Sequence, residues 1–155
     1  MRVGIGYDIH RLAAGRRLVL GGVAIEHPKG LVGHSDGDVL LHALMDALLG
    51  AANLGDLGRH FPSDDPAYAE ARSLELLRRV GGLLRERGLG VGSLDATVIA
   101  EMPRLAPHVQ AMREAIAGAI GVGVDRVSVK ATTNDGLGVI GAEEAIAALA
   151  IAHLE

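Results

Sequence analysis

The chain has 155 residues, of which 49% are hydrophobic, and it carries a net charge of −4 with no cysteine. This length predicts a single domain over residues 1–155. The absence of cysteine excludes disulfides and cysteine-ligated zinc sites, and the lack of a basic patch argues against a nucleic-acid-binding protein.

The apolar content is high for a soluble monomer, although only Tyr7, Phe61 and Tyr68 are aromatic. Such a chain either hides apolar surface in an oligomer or is merely rich in alanine, and composition favours neither. The longest uninterrupted apolar stretch, residues 145–152, is too short to cross a bilayer, and no secretory leader precedes the first predicted strand. We therefore expect a cytoplasmic protein.

Hydrophobic periodicity and turn residues predict alternating strands and helices. The predicted elements, in chain order, are strands over residues 2–7 and 18–25, a turn over 27–30, a helix capped by Ser35 or Asp36 and ending near Ala52, a polar loop over 53–66, a helix over 73–87, a strand over 93–100, a helix from Pro107 to near Gly121 and a strand over 126–132. The tail, residues 143–154, favours a helix by propensity. This alternation is typical of an α/β or α+β fold with helices on one sheet face.

Asp8 and His10 stand two residues apart near the end of the first predicted strand. Side chains at positions i and i+2 of a strand point the same way, so these two project together. One more imidazole would complete a three-ligand site for a tetrahedral divalent metal with an open fourth position. Without such a partner, an Asp-x-His pair is more often an ordinary surface turn.

A second polar cluster occupies residues 34–42 and supplies a candidate for the third ligand, His42. On a helix, Asp38, His42 and Asp46 would lie along one face, which on an ordinary amphipathic helix is simply solvated. The neighbours of His42 are nearly all apolar, however, and a buried imidazole needs a polar partner or a metal. Together the two clusters predict a metal site formed by Asp8, His10 and His42.

The predicted strand over residues 126–132 leads into a turn within residues 131–138, Ala-Thr-Thr-Asn-Asp-Gly-Leu-Gly. Its hydroxyls, exposed amides and single carboxylate could hold phosphate oxygens and a hard cation. From these residues alone, an ordinary polar turn is the better interpretation.

The spaced motifs, taken together, resemble the 2-C-methyl-D-erythritol 2,4-cyclodiphosphate synthase family over essentially the whole chain. They are Gly4-x-Gly6-x-Asp8-x-His10-Arg11, His34-Ser35-Asp36-Gly37-Asp38-Val39-x-x-His42-Ala43, Leu49-Gly50-Ala51-Ala52-x-x-Gly55-Asp56-x-Gly58, Phe61-Pro62 and Lys130-Ala131-Thr132-Thr133. The resemblance implies a single catalytic domain with an α+β fold, in which helices are layered on one face of a mostly antiparallel four-stranded sheet. It also implies that the sheets of three subunits pack around the axis of a homotrimer, and that the tail after Gly141 is a strand.

The implied activity is that of a lyase of the non-mevalonate isoprenoid pathway. The substrate would be 4-diphosphocytidyl-2-C-methyl-D-erythritol 2-phosphate, and the products the cyclic 2,4-diphosphate and CMP. Each active site would lie between adjacent subunits, with no membrane or nucleic-acid partner. Such a reaction presses two anions together, so cations and hydrogen-bond donors should dominate its catalytic groups.

The resemblance also assigns residues to roles. Asp8, His10 and His42 would hold zinc, or another divalent metal in its place, and His34 and Thr133 would be the catalytic residues that steady the phosphoryl transition state. The implied substrate contacts are Asp8, His10 and His34 near the metal; Ser35, Asp56, Gly58, Phe61 and Asp65 at the methylerythritol phosphate end; Ala100, Pro103, Arg104, Leu105, Ala106, Ala131 and Thr132 at the cytidine end; and Thr133 and Asp135 at the phosphates.

Four positions depart from the family pattern. Asp135 stands where glutamate commonly binds a second ion, Mg²⁺ or Mn²⁺, carried by the substrate diphosphate, and its shorter carboxylate can still bind, directly or through water. Val139 replaces a common aromatic residue, Ala142 a common arginine, and Ser63 a frequent aspartate. Because Ala142 lacks the guanidinium associated with ligands near the trimer axis, we do not expect that ligand site here.

Two other functions fit parts of the pattern. A metal-dependent phosphohydrolase could use the same three ligands to activate water, but it would need an extra base and no nucleoside pocket. A non-catalytic trimeric module with a structural metal would normally close its zinc site with four protein ligands, and only three are found.

Overall fold

The computed structural model describes residues 1–155, which form seven strands, five α-helices and three 3₁₀ turns. The strands are β1 (Arg2–Ala14), β2 (Leu18–Leu20), β3 (Val23–Ile25), β4 (Lys29–Leu31), β5 (Val91–Ile99), β6 (Val127–Thr132) and β7 (Ala145–Leu154). The helices are α1 (Val39–Ala51), α2 (Leu57–His60), α3 (Ser73–Glu86), α4 (Val109–Ile120) and α5 (Gly138–Gly141). The 3₁₀ turns are Pro66–Tyr68, Ala106–His108 and Val124–Arg126. No helix combines the length and the apolar content that crossing a bilayer requires.

The main sheet has five strands in the order β4-β1-β7-β5-β6, with β5 and β6 parallel and the other neighbours antiparallel. The expected α+β class is confirmed, but the expected number of four strands is wrong. The extra strand is β4, which pairs with the end of β1 and includes Lys29 and Gly30 of the predicted turn. Gly30 is required for close packing rather than for a turn, because a Cβ atom there would lie 2.4 Å from the Arg16 carbonyl oxygen.

The tail forms β7, the central strand of the sheet, as the family resemblance implies and against its helical propensity. Its alternate alanines fill the narrow space beneath α1. Ala150 and Ala152 pair with Gly6 and Gly4 of β1 and are almost completely buried. Tertiary packing therefore overrides local propensity in this segment.

Helix α1 lies directly on β1, with almost no side chains between the two backbones. A Cβ atom added at Gly4 would lie 2.0 Å from the Ala47 carbonyl oxygen, and one added at Gly6 would lie 1.9 Å from that of Ala43. The even-numbered residues of β1 thus face α1. This register points Asp8 and His10, further along the same strand face, towards the helix.

Asp38 caps α1, so the prediction of Ser35 or Asp36 as the cap is wrong. The fully buried Asp38 carboxylate accepts hydrogen bonds from the backbone N–H groups of Gly21 at 3.0 Å, Gly22 at 2.7 Å and Leu41 at 3.1 Å. Burial raises the pKa of Asp38 to about 6, although these donors favour its ionised form. One side chain therefore joins the start of α1 to the β2–β3 hairpin.

The opposite face of the sheet is apolar and exposed along β1 and β7. Ile5, which is 71% exposed, pairs with Ile151, and Tyr7 pairs with Leu149. Val3 and Ile9 extend the same stripe on β1. We call these six residues the outer apolar patch. Contiguous apolar surface of this kind normally marks an interaction surface.

Candidate metal centre

The side chains of the predicted trio, Asp8, His10 and His42, come together where the first turn of α1 lies over β1. Asp8 Oδ2 lies 2.8 Å from His10 Nε2 and 3.0 Å from His42 Nδ1, and the two imidazole nitrogens are 3.3 Å apart. One ligand atom from each residue lies within 4.8 Å of the others. No other three Asp, Glu or His side chains in the chain converge in this way. The structure therefore contains a possible metal-binding site made of the residues expected from the sequence.

Each imidazole is oriented by a contact from its other nitrogen. His10 Nδ1 lies 2.5 Å from the Val32 carbonyl oxygen, to which it donates. His42 Nε2 lies 3.1 Å from the Ser35 hydroxyl and 3.0 Å from the Ser73 hydroxyl. Contacts of this type fix the tautomer of a metal-ligating histidine and leave the lone pair of the inner nitrogen free to bind.

Ser73 belongs to a short chain of hydrogen bonds that the sequence did not predict. Its hydroxyl donates to Asp36 Oδ1 at 2.5 Å, which leaves the hydroxyl oxygen free to accept a hydrogen bond from His42 Nε2. The backbone N–H of Ser73 donates to Asp36 Oδ2 at 3.0 Å. Asp36 thus holds the first residue of α3 and, through it, the ring of His42. A serine at a helix start is an ordinary local signal, and nothing in the sequence links it to a histidine 31 positions away.

Asp8 supplies the negative charge of the trio. Burial by itself would raise the pKa of Asp8, but hydrogen bonds from His10 and His42 outweigh it and lower the pKa to about 2. The Asp8 carboxylate in turn raises the pKa of His10. Asp8 is therefore ionised at neutral pH, as a metal ligand must be.

A cavity of 230 Å³ opens beside the trio and gathers part of the predicted site. Its predicted lining residues are His10, His34, Ser35, His42, Gly58 and Phe61. Leu57, Ser63, Tyr68 and Leu76 also line it and were not predicted. The side chain of Ser35 contacts His42 at the back of the cavity, and Phe61 packs edge-on against Tyr68.

The two predicted aspartates of this region act as local caps. Asp56 Oδ1 accepts a hydrogen bond from the Arg59 N–H at 2.9 Å and begins α2. Asp65 Oδ1 accepts one from the Ala67 N–H at 2.9 Å, and the Asp65 carbonyl oxygen lies 3.3 Å from His34 Nε2. Neither aspartate is a lining residue of the 230 Å³ cavity.

The remaining predicted residues lie after β5 and at or after the end of β6, across the sheet from the metal trio. Strand β7 and strand β5 separate β1 from β6. The remaining predicted residues all lie outside the lining of the 230 Å³ cavity. They are Ala100, Pro103, Arg104, Leu105, Ala106, Ala131, Thr132, Thr133 and Asp135. Ala100 and Leu105 are buried, whereas residues 131–135 are exposed. The predicted residues therefore fall into two separate groups, which we call the first half-site, around the metal trio and its cavity, and the second half-site, residues 100–106 and 131–135.

Glu101 organises the second half-site and was not predicted. Its Oε1 accepts hydrogen bonds from the backbone N–H groups of Asn134 at 2.7 Å and Gly136 at 3.2 Å. Within the turn, the Thr133 hydroxyl donates to Asp135 Oδ1 at 3.3 Å, and Asp135 has a positive φ of 52°. Glu101 thus ties the segment after β5 to the turn after β6. No sequence signal distinguishes it from an exposed surface glutamate.

Comparison with known proteins agrees with this geometry. The YgbB family model matches residues 1–155. The 2-C-methyl-D-erythritol 2,4-cyclodiphosphate synthase of Trichlorobacter lovleyi is 58% identical over 154 residues, covering 99% of this chain and 98% of the relative. The synthase of the same name from Symbiobacterium thermophilum is 61% identical over 152 residues, covering 98% and 97%. A solved synthase structure described as a CDP-bound form matches with a TM-score of 0.91 at 37% identity, covering 99% of this chain and 100% of that one.

Replacing His42 tests the trio as a metal centre. We expect His42→Ala to lose its tightly bound divalent metal, because two ligands on one strand hold an ion far less firmly than three. Metal content per chain, measured by mass spectrometry after gel filtration, is the readout. His60→Ala is the matched control, because His60 contacts the Leu54 carbonyl oxygen at 2.8 Å and is not part of the trio. Equal metal in both variants would contradict the assignment.

Proposed function

The chain belongs to the YgbB family, and we propose that it catalyses the reaction of its full-length relatives, as a 2-C-methyl-D-erythritol 2,4-cyclodiphosphate synthase. The observation that carries the proposal is the convergence of Asp8, His10 and His42 beside a cavity lined by His34 and Gly58. These residues belong to the motifs on which the family resemblance rests. The reaction converts 4-diphosphocytidyl-2-C-methyl-D-erythritol 2-phosphate to the cyclic 2,4-diphosphate and CMP.

The chemistry is an internal phosphoryl transfer. An oxygen of the 2-phosphate attacks the β-phosphorus of the diphosphate and forms a P–O bond, while the bond from that phosphorus to the bridging oxygen breaks. CMP leaves with that oxygen and its electron pair. Little covalent work falls to the protein, so positioning and charge neutralisation supply most of the rate.

We assign zinc to the trio, or another divalent metal in its place. Two imidazole nitrogens and a carboxylate are the donors that zinc prefers, and three protein ligands leave one position open to a phosphate oxygen. When bound, the ion supplies Lewis-acid polarisation of that oxygen. Ser73 and Val32 keep the two imidazoles turned inwards.

The other side chains of the first half-site bind and orient the substrate. His34 offers an imidazole N–H to the phosphoryl group as charge develops on its oxygens. Gly58 and Phe61, with the loop that carries Asp56 and Asp65, enclose the methylerythritol phosphate end. Ser35 lines the same cavity and would contact the substrate there, and its hydroxyl also contacts His42.

The second half-site binds the nucleotide and its phosphates. Thr133 would donate its hydroxyl to the phosphates, and Asp135 would offer a hard oxygen to a second ion, Mg²⁺ or Mn²⁺, carried by the substrate diphosphate. The cytidine pocket comprises Ala100, Pro103, Arg104, Leu105, Ala106, Ala131 and Thr132. The CDP bound in the solved synthase structure supports a cytidine diphosphate ligand for this family.

We further propose a homotrimer in which each active site combines the first half-site of one chain with the second half-site of its neighbour. A cavity of 230 Å³ is smaller than the roughly 300–1,000 Å³ typical of pockets for small ligands. Contact with another chain would enlarge it and would also cover the outer apolar patch. We also propose a cytoplasmic location, because the charged substrate and products do not cross membranes unaided.

The direct test of the function is turnover. Purified protein, loaded with zinc and Mg²⁺, is incubated with the cytidylyl substrate, and the products are followed by phosphorus NMR. We expect stoichiometric CMP and a cyclic diphosphate. Release of inorganic phosphate with no cyclic product would instead identify a phosphohydrolase.

A charge in the outer apolar patch tests the shared site. Sedimentation of the wild type should give a mass close to three chains of 16.0 kDa. Ile5→Asp should give monomers that keep their metal, because all three ligands come from one chain, but turnover should fall by orders of magnitude. Ala111→Asp, on the exposed face of α4, is the control and should remain trimeric and active. An active Ile5→Asp monomer would refute the shared site.

Asp135 is tested by removing its charge while keeping its backbone geometry. Asparagine tolerates positive φ as aspartate does, so Asp135→Asn changes mainly the ligand. We expect turnover to fall severely and the response to Mg²⁺ or Mn²⁺ to weaken, with zinc content unchanged. Asp135→Glu should retain activity, because it restores the ligand common in the family. Asp125→Asn, also at an exposed turn, is the control; the same metal response in both Asn variants would exclude Asp135 as a ligand.

A further inference from the structure

A second and larger cavity is separated from the metal trio by Asp36, and none of its lining residues has a role in the proposed reaction. Its volume is 580 Å³, against 230 Å³ beside the metal trio, and the two cavities share no lining residue. Its walls come from the turn before β2, the β2–β3 hairpin and the start of α3. This volume lies in the range of pockets that hold small ligands.

Three arginines, Arg16, Arg17 and Arg72, line this cavity. None has a carboxylate oxygen within 4.0 Å, since the ion pairs of the chain involve other residues. Three unpaired guanidinium groups around one cavity are notable in a chain with a net charge of −4. Unpaired arginines that converge on a concave surface are suited to a multiply charged anion.

Arg16 is held in place by the backbone of its own chain. Its Nε donates to the Leu31 carbonyl oxygen at 2.9 Å, and its Nη2 lies 3.5 Å from that of Gly33. The residue is half-buried. A guanidinium fixed through one edge keeps its remaining N–H groups for a ligand, so less side-chain entropy is lost on binding.

The two acidic residues of the cavity do not neutralise these arginines. Asp36 accepts hydrogen bonds from the Ser73 hydroxyl and from the N–H groups of Ser73 and Asp38, so its oxygens are already engaged. Glu70 is exposed and has no cation within 4.0 Å. The formal charge of the lining remains positive, with three cations against two anions.

Helix α3 adds a further positive contribution. It runs for 14 residues from Ser73, and Arg72 makes no side-chain cap hydrogen bond. Arg72 and Leu74 both line the cavity, which therefore lies at the N-terminus of the helix. Asp36 accepts a hydrogen bond from the Ser73 N–H at this end, and the partial positive charge of the helix end adds to the attraction for phosphate oxygens.

From the cavity, the unpaired arginines and the helix end together, we propose that this is a second ligand site, which binds the phosphoryl group of a small phosphorylated molecule. Arg16, Arg17 and Arg72 contact the phosphate oxygens, and the apolar side chains of Val19 and Leu74 flank the rest of the molecule. Asp36 forms the wall between this site and the metal centre, because it also holds Ser73 against His42.

The test is titration of metal-loaded protein with inorganic phosphate and with glycerol 2-phosphate, at constant ionic strength set by chloride. Calorimetry should detect binding that weakens at least about tenfold in Arg17→Ala/Arg72→Ala, which lacks two charge-assisted contacts. Arg87→Ala, which removes an exposed arginine from the other end of α3, should bind as the wild type does. Both altered arginines are exposed, so metal content should be unchanged and serves as the folding check.

A second variant separates this site from the metal centre. In His42→Ala, phosphate that binds at the arginines should bind with unchanged affinity, and the amide NMR signals of Gly22 and Leu74 should shift on titration. Affinity lost in His42→Ala but kept in Arg17→Ala/Arg72→Ala would place the phosphate at the metal and overturn the proposal. Absence of measurable phosphate binding in the wild type would also overturn it. Neither result would affect the proposed synthase activity.

Discussion

The close contact between α1 and β1 is the constraint on which the rest of the structure depends. With glycine at positions 4 and 6, the carbonyl oxygens of Ala43 and Ala47 approach the strand backbone more closely than any side chain would permit. The same approach brings His42 within 3.0 Å of the carboxylate of Asp8, which follows Gly6 on the same face of β1. A methyl group at either glycine would lift the helix and open the ligand set. The metal centre is thus a product of backbone packing, with its ligands placed where helix and strand come closest.

The parts of the site that depend on local periodicity could be predicted from the sequence. Asp8 and His10 follow from the two-residue repeat of a strand, and His42 from a polar side chain among apolar neighbours on a helix. Ser73 and Glu101 could not be found, because each acts on a residue more than 30 positions away and carries no local signal. The cap of α1 was misplaced for a related reason. Asp36 and Asp38 are equally good caps locally, and only the tertiary structure assigns Asp38 to α1 and Asp36 to α3.

The fold shows the same division between local and long-range information. Buried residues alternate with more exposed ones along most of β5 and at the start of β6, as expected for strands of which one face packs against helices. The tail is different: alanine and leucine favour a helix in isolation, whereas the narrow space beneath α1 accepts only small side chains from the face of β7 that it covers. Lys29 and Gly30 likewise gain a strand partner only because β1 continues to Ala14.

The position of β7 between β1 and β5 has a consequence for the timing of folding. Asp8 and His10 emerge early in synthesis, but the strand that pairs with them, through Ala148 and Ile146, is made more than 130 residues later. Pairings of such long sequence separation close large loops and form slowly. On the ribosome, β1 must therefore remain without its central neighbour until β7 has left the exit tunnel. During that interval its apolar residues, Val3, Ile5 and Ile9, form an unpaired strand edge of the kind that chaperones protect.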